Sequence, residues 1–253
     1  MPDQLVYSNV LLLDLGNTAL KVVNVVEFQL GAVVTYAHAN YEIDSLLDKI
    51  LAEQGFTTLL FASVYQPEVS EQIKNWSVVN QVECKQITTG KSYKTLKNGY
   101  QKPAQLGVDR WLTMIALWQK LQNEFAVVSV GSAVTFDRVD SNGQHLGGLI
   151  MPGITMMREA LSQRTVAVKL DEQKAESLAF LQKNTTDAVA SGTVLAVSGM
   201  IEKVMNELKM NYQKLVLTGG AANQVLPLLP ASVVHHENLV LQGLRCFIGQ
   251  ERD

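Results

Sequence analysis

Leu11-Leu12-Leu13-Asp14-Leu15-Gly16-Asn17-Thr18-Ala19-Leu20-Lys21-Val22-Val23 places two apolar runs on either side of a short polar turn. Such runs around a tight turn predict a β-hairpin with its polar residues at the tip. Gly16 lets the backbone turn sharply and leaves room for a ligand against the main chain. Asn17 and Thr18 add side-chain donors, and successive turn N–H groups form a nest for phosphate oxygens. Asp14, ending the first strand, suits Mg²⁺ or its waters, while Lys21 supplies a point charge. Donors, a carboxylate and a lysine at one turn make a candidate nucleotide-phosphate site. The same residues also meet the turn propensities of an ordinary hairpin, so the rest of the chain must decide.

The 253 residues suit one large domain or two of ordinary size. At 47% apolar and 18% charged, the chain has material for a real core and does not read as disordered. A net charge of −3 gives no electrostatic reason to expect nucleic-acid binding. Cys84 and Cys246 lie far apart and imply neither a disulfide framework nor a metal knuckle. Met1-Pro2-Asp3-Gln4 lacks the start of a signal peptide, and no apolar stretch approaches membrane-spanning length without interruption. The expectation is a cytoplasmic protein with no membrane contact.

Beyond the hairpin, Ala32 to Tyr36 reads as a strand, Ile43 to Gln54 as a helix ended by Gly55, Thr58 to Val64 as a buried strand and Val69 to Trp76 as a short helix. This order belongs to an α/β layered domain. Thr88-Thr89-Gly90-Lys91-Ser92 imitates a P-loop, but the glycine required five positions before Gly90 is Lys85. Nor is there a Gly-x-Gly-x-x-Gly dinucleotide fingerprint. The spacing then predicts one long helix from Pro103 through Leu121, with Asp109 and Arg110 inside its apolar pattern. A charged pair there is costly to bury unless it is paired. It is a solvated patch, a structural ion pair, or a carboxylate placed to accept a proton beside an arginine for an anionic substrate.

A second hairpin repeats the first. Ala126 to Val139 carries an apolar strand, a Gly131-Ser132 turn and a returning strand. Aligning Gly131 with Gly16 sets Ser129 against Asp14 and Ser132 against Asn17. Two like-folded domains are expected, 1–124 and 125–253. Within the second, Leu146 to Ile154 reads as a glycine-interrupted strand, Met156 to Leu161 as the start of a helix, and 169–183 as a mobile connection with a short helix. Asn184-Thr185-Thr186-Asp187 offers N-cap chemistry to a helix over Ala188 to Leu208, and Lys214 to Ala222 is a strand entering a glycine turn.

Six motifs now stand in order: Asp14-Leu15-Gly16-Asn17-Thr18-x-x-Lys21, Gly107-Val108-Asp109-Arg110, Gly131-Ser132-Ala133-x-Thr135-x-Asp137, Gly147-Gly148-x-Ile150-x-Pro152-Gly153, Leu217-Thr218-Gly219-Gly220-Ala221 and Leu239-Val240-Leu241-Gln242-Gly243-Leu244. In this order they resemble type III pantothenate kinase, of the acetate and sugar kinase/Hsp70/actin superfamily, over about residues 10–248. The resemblance implies an α/β fold of duplicated ribonuclease H-like, actin-like ATPase domains with ATP in the cleft between them. It implies a homodimer that helps form the pantothenate site, and transfer of phosphate from ATP to pantothenate at the entry to coenzyme A. By resemblance, Asp14, Leu15, Gly16, Asn17, Thr18, Ala19, Leu20 and Lys21 cradle the ATP phosphates, with Asp14 near Mg²⁺. Ser132 takes the place of an ATP-contacting threonine. Asp109 is the base for the pantothenate hydroxyl, and Tyr100, Gly107, Val108, Asp109, Arg110 and Thr185 line the substrate site.

One position departs from that pattern. The family usually carries an aspartate two residues before the second turn, where it binds K⁺ or NH₄⁺; here it is Ser129, a weaker and neutral ligand. Weakened dependence on the monovalent cation is therefore expected. Two other readings stay open: another small-molecule kinase of the same superfamily, and a non-catalytic transcription accessory or regulatory protein. An intact Asp14, Lys21, Asp109 and Arg110 argue for the kinase.

Overall fold

The computed structural model describes residues 9–164 and 180–249. They divide into two compact units. One holds the described residues up to Gln122 together with those from Leu239 onward, and the other spans Asn123–Asn238.

In the first unit, β1 (Val10–Leu15) and β2 (Ala19–Val26) form the antiparallel hairpin read from the sequence, with Asp14 directly opposite Lys21. Short strands β3 (Gln29–Leu30) and β4 (Val34–Ala37) both pair with β2. Helix α1 (Ile43–Gln54) crosses to β5 (Thr58–Ser63), parallel to β1, and α2 (Pro67–Val79) crosses to β6 (Glu83–Gln86), parallel to β5. Strand β1 is therefore central, which is why its leucines run unbroken: Leu11, Leu12 and Leu13 are all fully buried. Leu46, Leu47 and Ile50 of α1 and Ile73 and Trp76 of α2 pack on one face of this sheet.

A two-residue ribbon, β7 (Ser92–Tyr93) with β8 (Leu96–Lys97), leads to α3 (Val108–Leu121). Here the expected helix is corrected. Pro103–Gln105 is a single 3₁₀ turn, Leu106 is extended, and α3 begins only at Val108. The break is held by local bonds: the Thr89 hydroxyl donates to the Leu106 carbonyl (2.8 Å), and the first α-helical bond runs from Trp111 N–H to the Gly107 carbonyl (3.0 Å). Asp109 and Arg110 thus lie in the first turn of a helix, not in its middle.

In the second unit, β9 (Phe125–Val130) and β10 (Ala133–Val139) form the second hairpin, and β11 (His145–Pro152) extends it. Helix α4 (Ile154–Arg164) follows; residues 165–179, and with them most of the connection expected over 169–183, lie outside the described residues. Helix α5 (Thr185–Glu207) is capped by the Asn184 side chain, which accepts from Asp187 N–H at 2.8 Å. Strand β12 (Leu215–Thr218) lies parallel to β9; after α6 (Ala222–Val225), β13 (Val234–His235) lies parallel to β12. The last helix, α7 (Leu239–Arg245), packs on α3.

The two sheets share one plan: a hairpin, a further antiparallel strand outside it, and two parallel strands on the other side. The duplication extends to single bonds, since Gly16 N–H donates to the Ala19 carbonyl and Gly131 N–H to the Ala133 carbonyl, each at 3.1 Å. Helix α5 is long and apolar enough to cross a membrane by length and composition alone. Its Val194, Val197, Ile201 and Met205 are buried against Val128, Val130 and Phe136, the place of a core helix.

Candidate functional site

The first unit gathers Asp14, Lys21 and Asp109. Hairpin register sets Lys21 across from Asp14, and the negative charge of Asp109 is close enough to act on Asp14 as well. Burial pushes the Asp14 carboxyl up to about 7, Lys21 pulls it down, and Asp109 pushes it further up. Without a bound cation, Asp14 is therefore poised between its protonated and ionised forms near neutrality.

This shift has a measurable sign. An unfolded aspartate titrates near ~3.9. Between about pH 4 and pH 7 the folded chain keeps a proton that the unfolded chain has lost, so stability falls as pH rises through that window. Asp14→Asn removes this contribution. In chelator, the loss of melting temperature between pH 5 and pH 8 should be smaller in Asp14→Asn than in the parent; equal losses would contradict the burial of this carboxylate.

The neighbouring α3 terminus is built around Gly107. A Cβ there would lie 2.6 Å from Asp109 Oδ1, so only glycine lets the carboxylate fold back over the helix start. Asp109 Oδ1 accepts from the Arg110 N–H (2.8 Å), and the helix N-terminus is a favourable place for its negative charge. Arg110 is buried, donates from Nη1 to the Tyr100 hydroxyl (2.8 Å) and holds its guanidinium 5.6 Å from the centre of that ring. Tyr100 is in turn seated by Asn98, whose side chain accepts from Tyr100 N–H and donates to the carbonyls of Gly90 and Pro103. The rejected P-loop look-alike thus has a structural use: Thr89 and Gly90 anchor the segment that presents Tyr100, Asp109 and Arg110.

Ser129, Ser132 and Thr185 belong to the second unit. Ser132 is at the tip of the second hairpin. Thr185 begins α5 and lines an open groove of about 1140 Å³ with Met156, Met157, Leu161, Ala188 and Val189. Ser129 stands in register between Thr135 and Thr218, so three hydroxyl side chains share one face of the sheet. Asp137, two positions along β10, is buried with its Oδ1 2.9 Å from His145 Nε2. Neutral oxygens around Ser129 do not offset the charge of a cation, so this position does not fit a carboxylate-held K⁺. Asp14 does fit Mg²⁺, which keeps several waters and takes one or two carboxylates together with substrate phosphates. Among the described residues no cluster of three or more His, Cys, Asp or Glu could hold a metal by itself.

Sequence reading missed His38. Its Nε2 donates to the Gly16 carbonyl at 2.8 Å, inside the turn of the first hairpin. The signal was absent from local sequence, because only the pairing of β4 with β2 brings His38 to the hairpin.

This arrangement of duplicated hairpins occurs in solved actin-like ATPases. The chain is similar to a putative Baf family transcriptional activator from Campylobacter jejuni (TM-score 0.60, 22% identity, covering 94% of this chain and 96% of that one). It is also similar to MreB 5 of Spiroplasma citri (TM-score 0.50, 11% identity, 97% and 96% covered). These likenesses define an actin-like fold with two ribonuclease H-like halves. Residues 10–207 match the model of the type III pantothenate kinase family. A type III pantothenate kinase of Nitrosococcus oceani is 30% identical over 245 residues, covering 93% of this chain and 92% of that protein. The chain belongs to the type III pantothenate kinase family.

Proposed function

We propose that the chain transfers the γ-phosphoryl group of ATP to the 4′-hydroxyl of pantothenate, giving ADP and 4′-phosphopantothenate, the first committed product on the way to coenzyme A. The observation that carries this reading is the closeness of the Asp109 carboxylate on α3 to Asp14 of the first hairpin, near enough for its charge to act on that carboxyl. Family membership supplies the substrates.

Phosphoryl transfer through a loose transition state depends on positioning and charge neutralisation. In this reading the N–H groups of the turn from Gly16 to Thr18 receive phosphate oxygens, and Lys21 adds a positive charge. Asp14 would hold Mg²⁺, which supplies charge neutralisation at the phosphates when bound. Asp109 accepts the proton of the attacking hydroxyl, while Arg110, oriented by Tyr100, faces the pantothenate carboxylate. The Ser132 hydroxyl donates to ATP from the second hairpin. Thr185 contributes to the pantothenate site of a partner copy in a homodimer, a role supported by its place in an apolar groove beside the exposed Met156 and Leu161. Sedimentation of the purified chain tests the dimer.

Pantothenate-dependent ADP release from the purified chain with ATP and Mg²⁺ tests the reaction. Turnover is expected with pantothenate and not with sugars or acetate; a folded, ATP-binding chain inert toward pantothenate would refute it. The hydroxyl row at Ser129 adds a second expectation. Replacing K⁺ by Na⁺ at constant ionic strength should cost less than about threefold in turnover, since no carboxylate gives a cation there more than a weak hold. Near-zero activity in Na⁺ would show that a K⁺ site is assembled by other residues.

A further inference from the structure

Strand β4 runs beside the phosphate-binding hairpin, with Ala37 paired to Ala19. The next residue, His38, therefore reaches the turn. Its ring stacks on Tyr65 (centroids 3.9 Å apart, planes within 8°), and its two nitrogens are both engaged: Nε2 with the Gly16 carbonyl at 2.8 Å and Nδ1 with the Tyr41 hydroxyl at 2.6 Å. A carbonyl only accepts, so Nε2 carries the hydrogen. In the neutral ring Nδ1 must then accept from Tyr41 O–H.

The Gly16 carbonyl and the Asn17 N–H belong to one rigid trans peptide plane, in which the two groups point in opposite directions. Fixing the carbonyl on His38 therefore fixes the direction of the Asn17 N–H. The other end of Gly16 is fixed too, since its own N–H bonds the Ala19 carbonyl. Asn17 and Thr18, beyond this clamp, are exposed at the tip.

We propose that His38 is a positioning residue for the nucleotide phosphates: held by Tyr41 and Tyr65, it grips the Gly16 carbonyl and so aims the Asn17 N–H at the phosphate-binding site. This rests on the phosphate-site reading of the hairpin and adds a residue to it. The device touches the nucleotide only through the backbone, so it acts on ATP and ADP and not on pantothenate. Burial, with a smaller push from Tyr65, raises the Tyr41 phenol to about 12, which keeps its O–H available to the ring.

His38→Phe keeps a flat ring for Tyr65 and removes the donor; His38→Gln returns an N–H near the position of Nε2. ADP affinity, measured by titration calorimetry without pantothenate, should fall about tenfold in His38→Phe, the scale of one hydrogen bond to a charged group. It should recover to within threefold in His38→Gln. In steady state the KM for ATP should rise in His38→Phe while the KM for pantothenate stays within twofold, with a melting temperature close to the parent's. ADP binding equal to the parent's in His38→Phe, or equal losses for ATP and pantothenate, would overturn the proposal. If ADP affinity falls as stated but pantothenate is not turned over by any form, His38 keeps its role and the substrate assignment fails. A parent chain that binds neither ADP nor ATP would overturn both.

Discussion

Asp109→Asn is expected to lower kcat by about 10²–10⁴-fold, the range for loss of a positioned base, while ADP affinity stays near that of the parent. The substitution is nearly isosteric. An asparagine oxygen still accepts from the Arg110 N–H, and the Thr113 hydroxyl bonds the backbone carbonyl at this position, which is unchanged. The turn at Gly107 keeps the space it reserves for the side chain. What disappears is the capacity to take a proton. Removing the charge also removes one of the influences that raise Asp14, so the pH-dependent step in stability of the free protein should move to lower pH. A variant that keeps more than a tenth of the parent kcat would show that another group, or water, takes the proton.

Gly243→Ala should be among the most damaging single methyl groups, alongside Gly153→Ala and Gly219→Ala. A Cβ at 243 would lie 2.2 Å from the Leu112 carbonyl oxygen and 2.7 Å from its carbon, with backbone on the receiving side and no side chain to swing away. Helix α7 must then back away from α3, loosening the packing of two helices whose Leu241, Leu244, Trp111 and Ile115 are all buried. Overpacking of this kind costs roughly 3 kcal/mol. For a chain of this size that is a fall of about 6–12 °C in melting temperature. Gly199→Ala is the counterpart. A Cβ there meets nothing within 4 Å, in the interior of α5, so it should stabilise by about 0.5–1 kcal/mol. Two Gly→Ala changes moving the melting temperature in opposite directions would confirm the α3–α7 contact; similar small shifts would disprove it.

Legibility of the fold tracked how local its causes were. The first hairpin could be read because Leu11 to Val23 contains both strands and their turn, and the second because Gly131 repeats the same local grammar. Asp109 could be singled out by its company of apolar residues, but its setting could not. The apolar pattern runs smoothly back toward Pro103, while the helix start at Val108 depends on Gly107 and on a hydrogen bond from Thr89, seventeen residues before Leu106. His38 was invisible because its partner is a backbone carbonyl in the β1–β2 turn, 22 residues earlier. The return of α7 to the first unit was equally hidden: Leu239 to Leu244 stands in the sequence only as a short apolar motif, and nothing in that pattern names α3 as what it meets.

That return has a consequence for biosynthesis. Asn123–Asn238 is one continuous stretch, whereas the unit carrying Asp14 and Asp109 needs α7, which comes after it. At ~5–20 residues per second, the intervening chain takes on the order of ten seconds to leave the ribosome. Throughout that interval the surface of α3 around Leu112 awaits its partner, and the later unit has all the residues it needs to close its core first. The half that was begun earliest is finished last, so a chain broken off during translation is left with an apolar face for a chaperone or protease to seize and an incompletely supported helix under Asp109.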